Sequence, residues 1–250
     1  MPNAAPKKSL GQHFLTNPGI VARMVAACAI APSDYVVEIG PGRGALTAHL
    51  RPKTEHLFLV EKDEALAARL PEQFDLPAAQ VWVGDAMAYV PDPQHRWIVA
   101  GNLPYNVSLP IIFHWMDYAP LITHMVVMVQ KEVGLRLAAA SGSKIYGIPS
   151  VLLQAEAEVA LLFHVGPGNF FPPPKVDSSV IRITPKASPF KSAAERACFA
   201  GLVKHAFANR RKMIANTLAP YRDRFAEVGL SGKERAEALS VATFIRLAKL

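Results

Sequence analysis

Cysteine is nearly absent: Cys28 and Cys198 are the only two in 250 residues, and no CxxC pair occurs. That excludes a disulfide-built scaffold and a cysteine zinc site, and it suits a reducing, cytoplasmic compartment. Long apolar runs are also missing. The longest, such as Met125–Val129, fall far short of the roughly 18–20 residues that span a bilayer, so no membrane attachment is expected. The N-terminal Met-Pro-Asn-Ala-Ala-Pro-Lys-Lys-Ser has no apolar stretch behind its positive charges and does not read as a secretory signal. Eight histidines show no HxxxH spacing, and neither a GxSxG elbow nor a GxxxxGK[ST] phosphate loop is present. No metal is therefore expected, and hydrolase and nucleoside-triphosphatase readings find no support.

Acidic charge is scarce at one end only. Lys+Arg 27 against Asp+Glu 20 gives +7 overall, but residues 185–250 hold 13 Lys/Arg and 5 Asp/Glu, a net +8. Residues 1–184 keep the remaining 14 and 15, a net −1. Such asymmetry fits an acidic partner, most often nucleic acid, and equally fits a solvated basic helical surface.

With 51% hydrophobic residues the chain can bury a substantial core. Strand patterns at Tyr35–Gly40, His56–Glu61, Gln80–Gly84, Trp97–Gly101 and Met125–Gln130 alternate with helical ones at Ala45–Leu50, Asp63–Leu70, Pro110–Tyr118 and Glu132–Ala140. Alternation of this kind predicts an α/β fold with a mostly parallel sheet covered on both faces. Ala157–Val165 and Ser178–Thr184 follow without an intervening helix and predict an antiparallel edge. Beyond Thr184 the pattern turns helical. The predicted domains are therefore 1–184 and a basic helical 185–250.

Chemistry concentrates where strands end. Glu38-Ile-Gly40-Pro-Gly42-Arg-Gly44 joins the first strand to its helix, the place where open α/β sheets bind ligands. Glu61 ends the second strand, 21 positions after Gly40, where a carboxylate can accept both ribose hydroxyls of an adenosine-containing cofactor. The glycine spacing is GxGxG, not the dinucleotide GxGxxG. A nucleoside cofactor without phosphates fits better, S-adenosyl-L-methionine above all. Asp85, in Gly84-Asp85-Ala86-Met87, reads either as an acceptor for the cofactor's adenine amine or as a turn residue.

The most specific element is Asn102-Leu103-Pro104-Tyr105. An exocyclic base amine is a poor nucleophile because its lone pair is conjugated into the ring. The Asn102 side-chain oxygen and the Leu103 carbonyl, fixed by Pro104, can each accept one N–H and draw that nitrogen toward tetrahedral geometry. Tyr105 offers a face for stacking the base. Phe170 and Phe171, ahead of three prolines, read as an opposing aromatic wall or as a core plug. Arg210-Arg211-Lys212, taken as helical, supplies cations of which some can reach phosphates and at least one must turn elsewhere.

Leu10-Gly-Gln-His13-Phe14-Leu15, Glu38–Gly44, Val60–Asp63, Gly84–Met87, Asn102–Tyr105, Gln130–Glu132, Phe170–Ser178 and Ala206–Lys212 occur in that order. Together, over nearly the whole chain, they resemble the ribosomal RNA adenine N6,N6-dimethyltransferase family, in its 16S branch associated with kasugamycin sensitivity. The resemblance implies a class I methyltransferase core, Rossmann-like, with a small helical C-terminal domain. It places His13, Leu15, Gly40, Gly42, Glu61, Lys62, Asp85, Ala86 and Asn102 at S-adenosyl-L-methionine. It assigns Asn102–Tyr105 to the target base, Phe170 to a second stacking face and Arg210–Lys212 to RNA. His13 stands where many members have Asn, and Pro149 where an apolar residue is the pattern. The implied reaction dimethylates two adjacent adenosines in the 3′-terminal hairpin of small-subunit rRNA, in a 30S precursor particle, by a cytoplasmic monomer. A large-subunit rRNA dimethyltransferase of the macrolide-resistance type and a mainly noncatalytic assembly factor are the alternatives.

Overall fold

The computed structural model describes residues 6–7 and 11–250; Leu10, which opens the first motif above, lies outside the described residues. Among the described residues nine strands form: β1 (Phe14–Leu15), β2 (Tyr35–Ile39), β3 (Leu57–Glu61), β4 (Val81–Val83), β5 (Trp97–Asn102), β6 (Ile122–Gln130), β7 (Ala157–Val165), β8 (Phe170–Phe171) and β9 (Ser178–Pro185). Seven make one sheet in the order β4-β3-β2-β5-β6-β9-β7, and β1 pairs with β8 separately.

The first five strands of that order run parallel, and β9 lies antiparallel against β6. This is the class I methyltransferase arrangement, with the antiparallel edge expected from the missing helix. Strands buried on both faces are mostly apolar, and Val36, Val37 and Ile39 of β2 are each at most 2% exposed, with Glu38 the one buried ionisable residue among them. Gly101 of β5 has a packing reason. A Cβ there would sit 2.6 Å from the Ile39 carbonyl oxygen.

Local chemistry sets the helix ends. Asn17 accepts hydrogen bonds from the Gly19 and Ile20 amides to start α1 (Pro18–Cys28). A short α2 (Thr47–Leu50) follows the glycine turn. Asp63 caps α3 through the Ala65 amide as expected, but α3 stops at Ala67 instead of reaching Leu70 (Glu64–Ala67). Pro71 has no N–H to give the Ala67 carbonyl, so the chain restarts as α4 (Leu70–Phe74). Next come α5 (Ser108–Met116), α6 (Lys131–Leu137), α7 (Ile148–Glu156), α8 (Ala193–Phe207), α9 (Ile214–Thr217) and α10 (Val241–Lys249). No helix among the described residues is long and apolar enough to cross a membrane.

The chain divides into two compact units. One comprises the described residues up to Gly134 together with Ala160–Pro185; the other comprises Leu135–Val159 and Lys186–Leu250. Helix α7 has no counterpart in the sequence reading. Its Val151 and Ala155, with Tyr146 ahead of it, share a core with Phe199, Val203, Phe207, Phe244 and Leu247 of the second unit. Pro149 occupies the first turn of α7, where a missing N–H costs nothing. Arg210–Lys212 are not helical as expected. They occupy a turn after α8, which ends at Phe207.

Candidate active site

The carboxyl ends of β2, β3 and β5, together with the segment entering β1, surround one cleft. Every residue expected at cofactor or base from the first unit lines it except Phe170: His13, Leu15, Gly40, Gly42, Glu61, Lys62, Asp85, Ala86, Asn102, Leu103, Pro104 and Tyr105.

Gly42 turns the chain at φ +59°, in the left-handed region. Its N–H then donates to Glu61 Oε2 at 2.9 Å, while the Asp63 N–H donates to Oε1 at 2.9 Å. Two backbone donors thus fix a carboxylate that is only 5% exposed, and each oxygen keeps acceptor capacity for the cleft. Burial raises the Glu61 pKa, and those backbone hydrogen bonds pull it partly back. Behind it, Glu38 accepts from Thr47 Oγ1 at 2.6 Å. Burial, aided by the charge of Glu61, pushes Glu38 up to about 8 against the lowering effect of Thr47.

Asp85 is held differently. Lys62 Nζ reaches its Oδ2 at 2.8 Å and the Met87 N–H its Oδ1 at 3.0 Å. The Lys62 hydrogen bond, then that of Met87, keep its carboxyl below the usual range. Next to Lys62 in sequence, the buried Asp63 accepts from Lys7 Nζ at 2.8 Å and Gln12 Nε2 at 3.1 Å. Burial acts upward there, but these donors outweigh it and the Asp63 pKa falls.

Asn102 Nδ2 donates to the His13 carbonyl oxygen at 2.8 Å. Its Oδ1 is buried without a hydrogen-bond partner. A buried acceptor left unpaired costs about 1–3 kcal/mol, and Asn102 lines the cleft. The His13 ring stacks on Tyr105 with centroids 5.6 Å apart and planes at 25°. Its Nδ1 lies 2.8 Å from the Pro172 carbonyl oxygen. A carbonyl only accepts, so that nitrogen carries the proton. His13 thus acts on its neighbours through both ring and backbone. The Tyr105 hydroxyl meets Ser178 Oγ at 2.5 Å.

Two expectations need correction. Phe170 presents no face to the cleft: it is 4% exposed and packs in the core with Leu15 and Val165. Phe171, the next residue, is 53% exposed. Arg210 is occupied within the second unit, its guanidinium donating to the Lys144 and Tyr146 carbonyls at 2.9 and 3.0 Å and to Glu237 Oε2 at 3.1 Å. Arg211 and Lys212 are exposed.

Sequence reasoning did not assign Phe14, Arg43, Pro172 or Ser178. They lie within the quoted motifs, but their partners are far away along the chain, so their roles could not be read locally. As a whole the cleft combines an apolar floor with fixed carboxylates and one unpaired amide oxygen. That donor and acceptor set suits a nucleoside's hydroxyls and amines.

Residues 3–250 match the family described as ribosomal RNA adenine dimethylase. A ribosomal RNA small subunit methyltransferase A from Xanthomonas campestris pv. campestris (strain B100) is 43% identical over 256 residues, covering 99% of this chain and 97% of that protein. Among solved structures, a dimethyladenosine transferase from Plasmodium falciparum superposes with TM-score 0.79 at 26% identity, over 94% of this chain and 96% of that one. The 23S rRNA methyltransferase ErmE superposes with TM-score 0.75 at 24% identity, over 94% and 98%, a likeness of fold alone.

Proposed function

The chain belongs to the ribosomal RNA adenine dimethylase family, and we propose that it dimethylates N6 of two adjacent adenosines in the 3′-terminal hairpin of 16S rRNA. The unpaired Oδ1 of Asn102 carries this reading. Its Nδ2 is committed to the His13 carbonyl, so an incoming adenine amine meets an acceptor and never a donor. The Leu103 carbonyl, on a segment stiffened by Pro104, is the second acceptor for that amine. Tyr105, backed by His13 and tethered through its hydroxyl to Ser178, is the stacking face for the base.

The residues fit S-adenosyl-L-methionine. When bound, it supplies an electrophilic methyl group on a sulfonium. Glu61 would accept its ribose hydroxyls, Asp85 and the Ala86 backbone would address its adenine, and Gly40 and Gly42 would allow its methionine portion close to the chain. His13, Leu15 and Lys62 would close the remaining sides. No general base is needed before transfer, since the nitrogen loses its proton only after it has become cationic. Two acceptors that favour a tetrahedral amine stabilise the charge that develops there. In the second round only one N–H remains to donate, and Asn102 is its anchor.

Similarity to small-subunit methyltransferases over nearly the full length supports the 16S substrate. A 30S precursor particle as the form of that substrate, and a cytoplasmic monomer as the enzyme, belong to the same proposal. Unmethylated 30S and 50S particles incubated with the protein and labelled cofactor, then digested for mass spectrometry, test it. Dimethyladenosine in 16S rRNA is the expected product. Activity on the large subunit alone, or binding without any transfer, would overturn the reading in favour of the macrolide-resistance type or an assembly factor.

A further inference from the structure

Resting on adenine methylation as the reaction, we propose that Phe171 and Arg43 form a stacking platform for the nucleobase that flanks the target adenosine. The pairing of β1 with β8 sets Phe14 opposite Phe171 and Leu15 opposite Phe170. Successive strand residues point to opposite faces. The Leu15–Phe170 face enters the core, and the Phe14–Phe171 face looks outward.

What covers that outer face is a cation. The Arg43 guanidinium carbon lies 4.4 Å from the Phe14 ring centroid and 5.7 Å from that of Phe171. Phe14 is 9% exposed, yet Phe171 remains 53% exposed, the one phenylalanine among the exposed large hydrophobic side chains of the described residues. Unpaired RNA bases are held on such surfaces, by aromatic rings and arginine planes together.

Position ties this surface to the reaction. Phe14 and Arg43 both line the cleft that holds Asn102 and Tyr105. Arg43 also borders a small polar hollow with Gly42, Arg69 and Gln73, and Gln73 Nε2 fixes the Arg43 backbone by donating to its carbonyl at 3.2 Å. Arg69 adds a second cation where the phosphate joining the two bases would run. A strand with one base inserted against Tyr105 would lay its neighbour on Phe171. Any base has a π-face, so this grip sets orientation and affinity without reading sequence.

Two measurements test it: methylation kinetics on unmethylated small subunits, and fluorescence of a single-stranded oligonucleotide with 2-aminopurine beside the target adenosine. Phe171→Ala and Phe171→Leu are expected to raise the KM for RNA about ten-fold with kcat and cofactor affinity kept, in the range of a lost aromatic–base stack. Phe171→Trp should restore KM, and the 2-aminopurine quench seen with the wild type should vanish in Phe171→Ala. Full activity in Phe171→Leu, a parallel loss of cofactor affinity measured by calorimetry, or no quench in the wild type would overturn the platform. If the wild type methylates no rRNA, the reaction reading falls on its own. The quench and its loss in Phe171→Ala then decide the platform separately, since they need binding only.

Discussion

Asn102 and His13, 89 residues apart, are joined by a hydrogen bond of 2.8 Å from the Asn102 side-chain nitrogen to the His13 backbone carbonyl. The bond commits the nitrogen end of the amide and leaves its oxygen without a partner. It also makes the N-terminal segment part of the catalytic geometry without requiring its side chain. The orienting atom belongs to the backbone, so the side chain at position 13 is left to stack on Tyr105 and to pair with the Pro172 carbonyl.

Removing the amide should therefore stop transfer while leaving binding in place. Asn102→Ala is expected to lower kcat by about 10²–10³, the usual loss when one group aimed at developing charge is deleted. Asn102→Asp keeps an acceptor but loses the donor to His13, so it should fall almost as far. Single-turnover methylation alongside filter binding to small subunits checks both. Loss of binding equal to the loss of rate would instead make Asn102 a docking residue.

Glu61 should govern cofactor affinity with a characteristic pH dependence. Burial raises its pKa, and only the ionised form offers both oxygens as acceptors to hydroxyls. Affinity should accordingly rise with pH through the carboxyl range and then level off. Glu61→Gln is expected to weaken binding by roughly ten- to a hundred-fold, the scale of hydrogen bonds to a charged group, and to remove that rise. Isothermal titration calorimetry with S-adenosylhomocysteine between pH 5 and 8 measures both effects.

Contiguous motifs at strand ends were legible in the sequence because the end of a buried strand fixes where its last residues point. Glu61, Asp85 and Asn102–Tyr105 reach the cleft for that reason. The two phenylalanines were not legible. Their faces are decided by a two-residue ladder, and in a strand a shift of one residue exchanges inside for outside. The aromatic expected at the base, Phe170, is consequently the one buried with Leu15, and Phe171 is the one that faces water. Likewise, no local pattern could announce that Tyr105 would find Ser178, 73 positions away.

In the turn after α8 one of three neighbouring cations is committed within the protein and two are exposed. Arg210 bridges two carbonyls and Glu237, so Arg210→Ala should destabilise the protein by about 1–2 kcal/mol, given that its guanidinium is part-exposed. Arg211→Ala with Lys212→Ala should leave the melting temperature unchanged. It should reduce the slope of log affinity for RNA against log salt by roughly 0.7 for each phosphate no longer neutralised. Thermal melts and salt titrations distinguish the two groups, and a reduced slope in Arg210→Ala without destabilisation would reverse the assignment.

Glu38 supplies a pH signature of the fold itself. Its pKa is raised from 4.5 to about 8 by burial. Between those values the unfolded chain has released this proton while the folded chain still holds it, so stability falls as pH rises and levels off above the upper value. The slope attributable to one such group approaches 1.4 kcal/mol per pH unit, roughly, in mid-window. Glu38→Gln keeps the acceptor for Thr47 Oγ1 and carries no proton to lose. It should therefore match the wild type near pH 4.5 and exceed it in melting temperature at pH 8.5, with Glu61 contributing a residual decline in both. Calorimetric melts across that range read the difference directly. A wild-type curve parallel to that of Glu38→Gln would mean that Glu38 is ionised in the folded protein, and that the cleft holds two buried negative charges side by side.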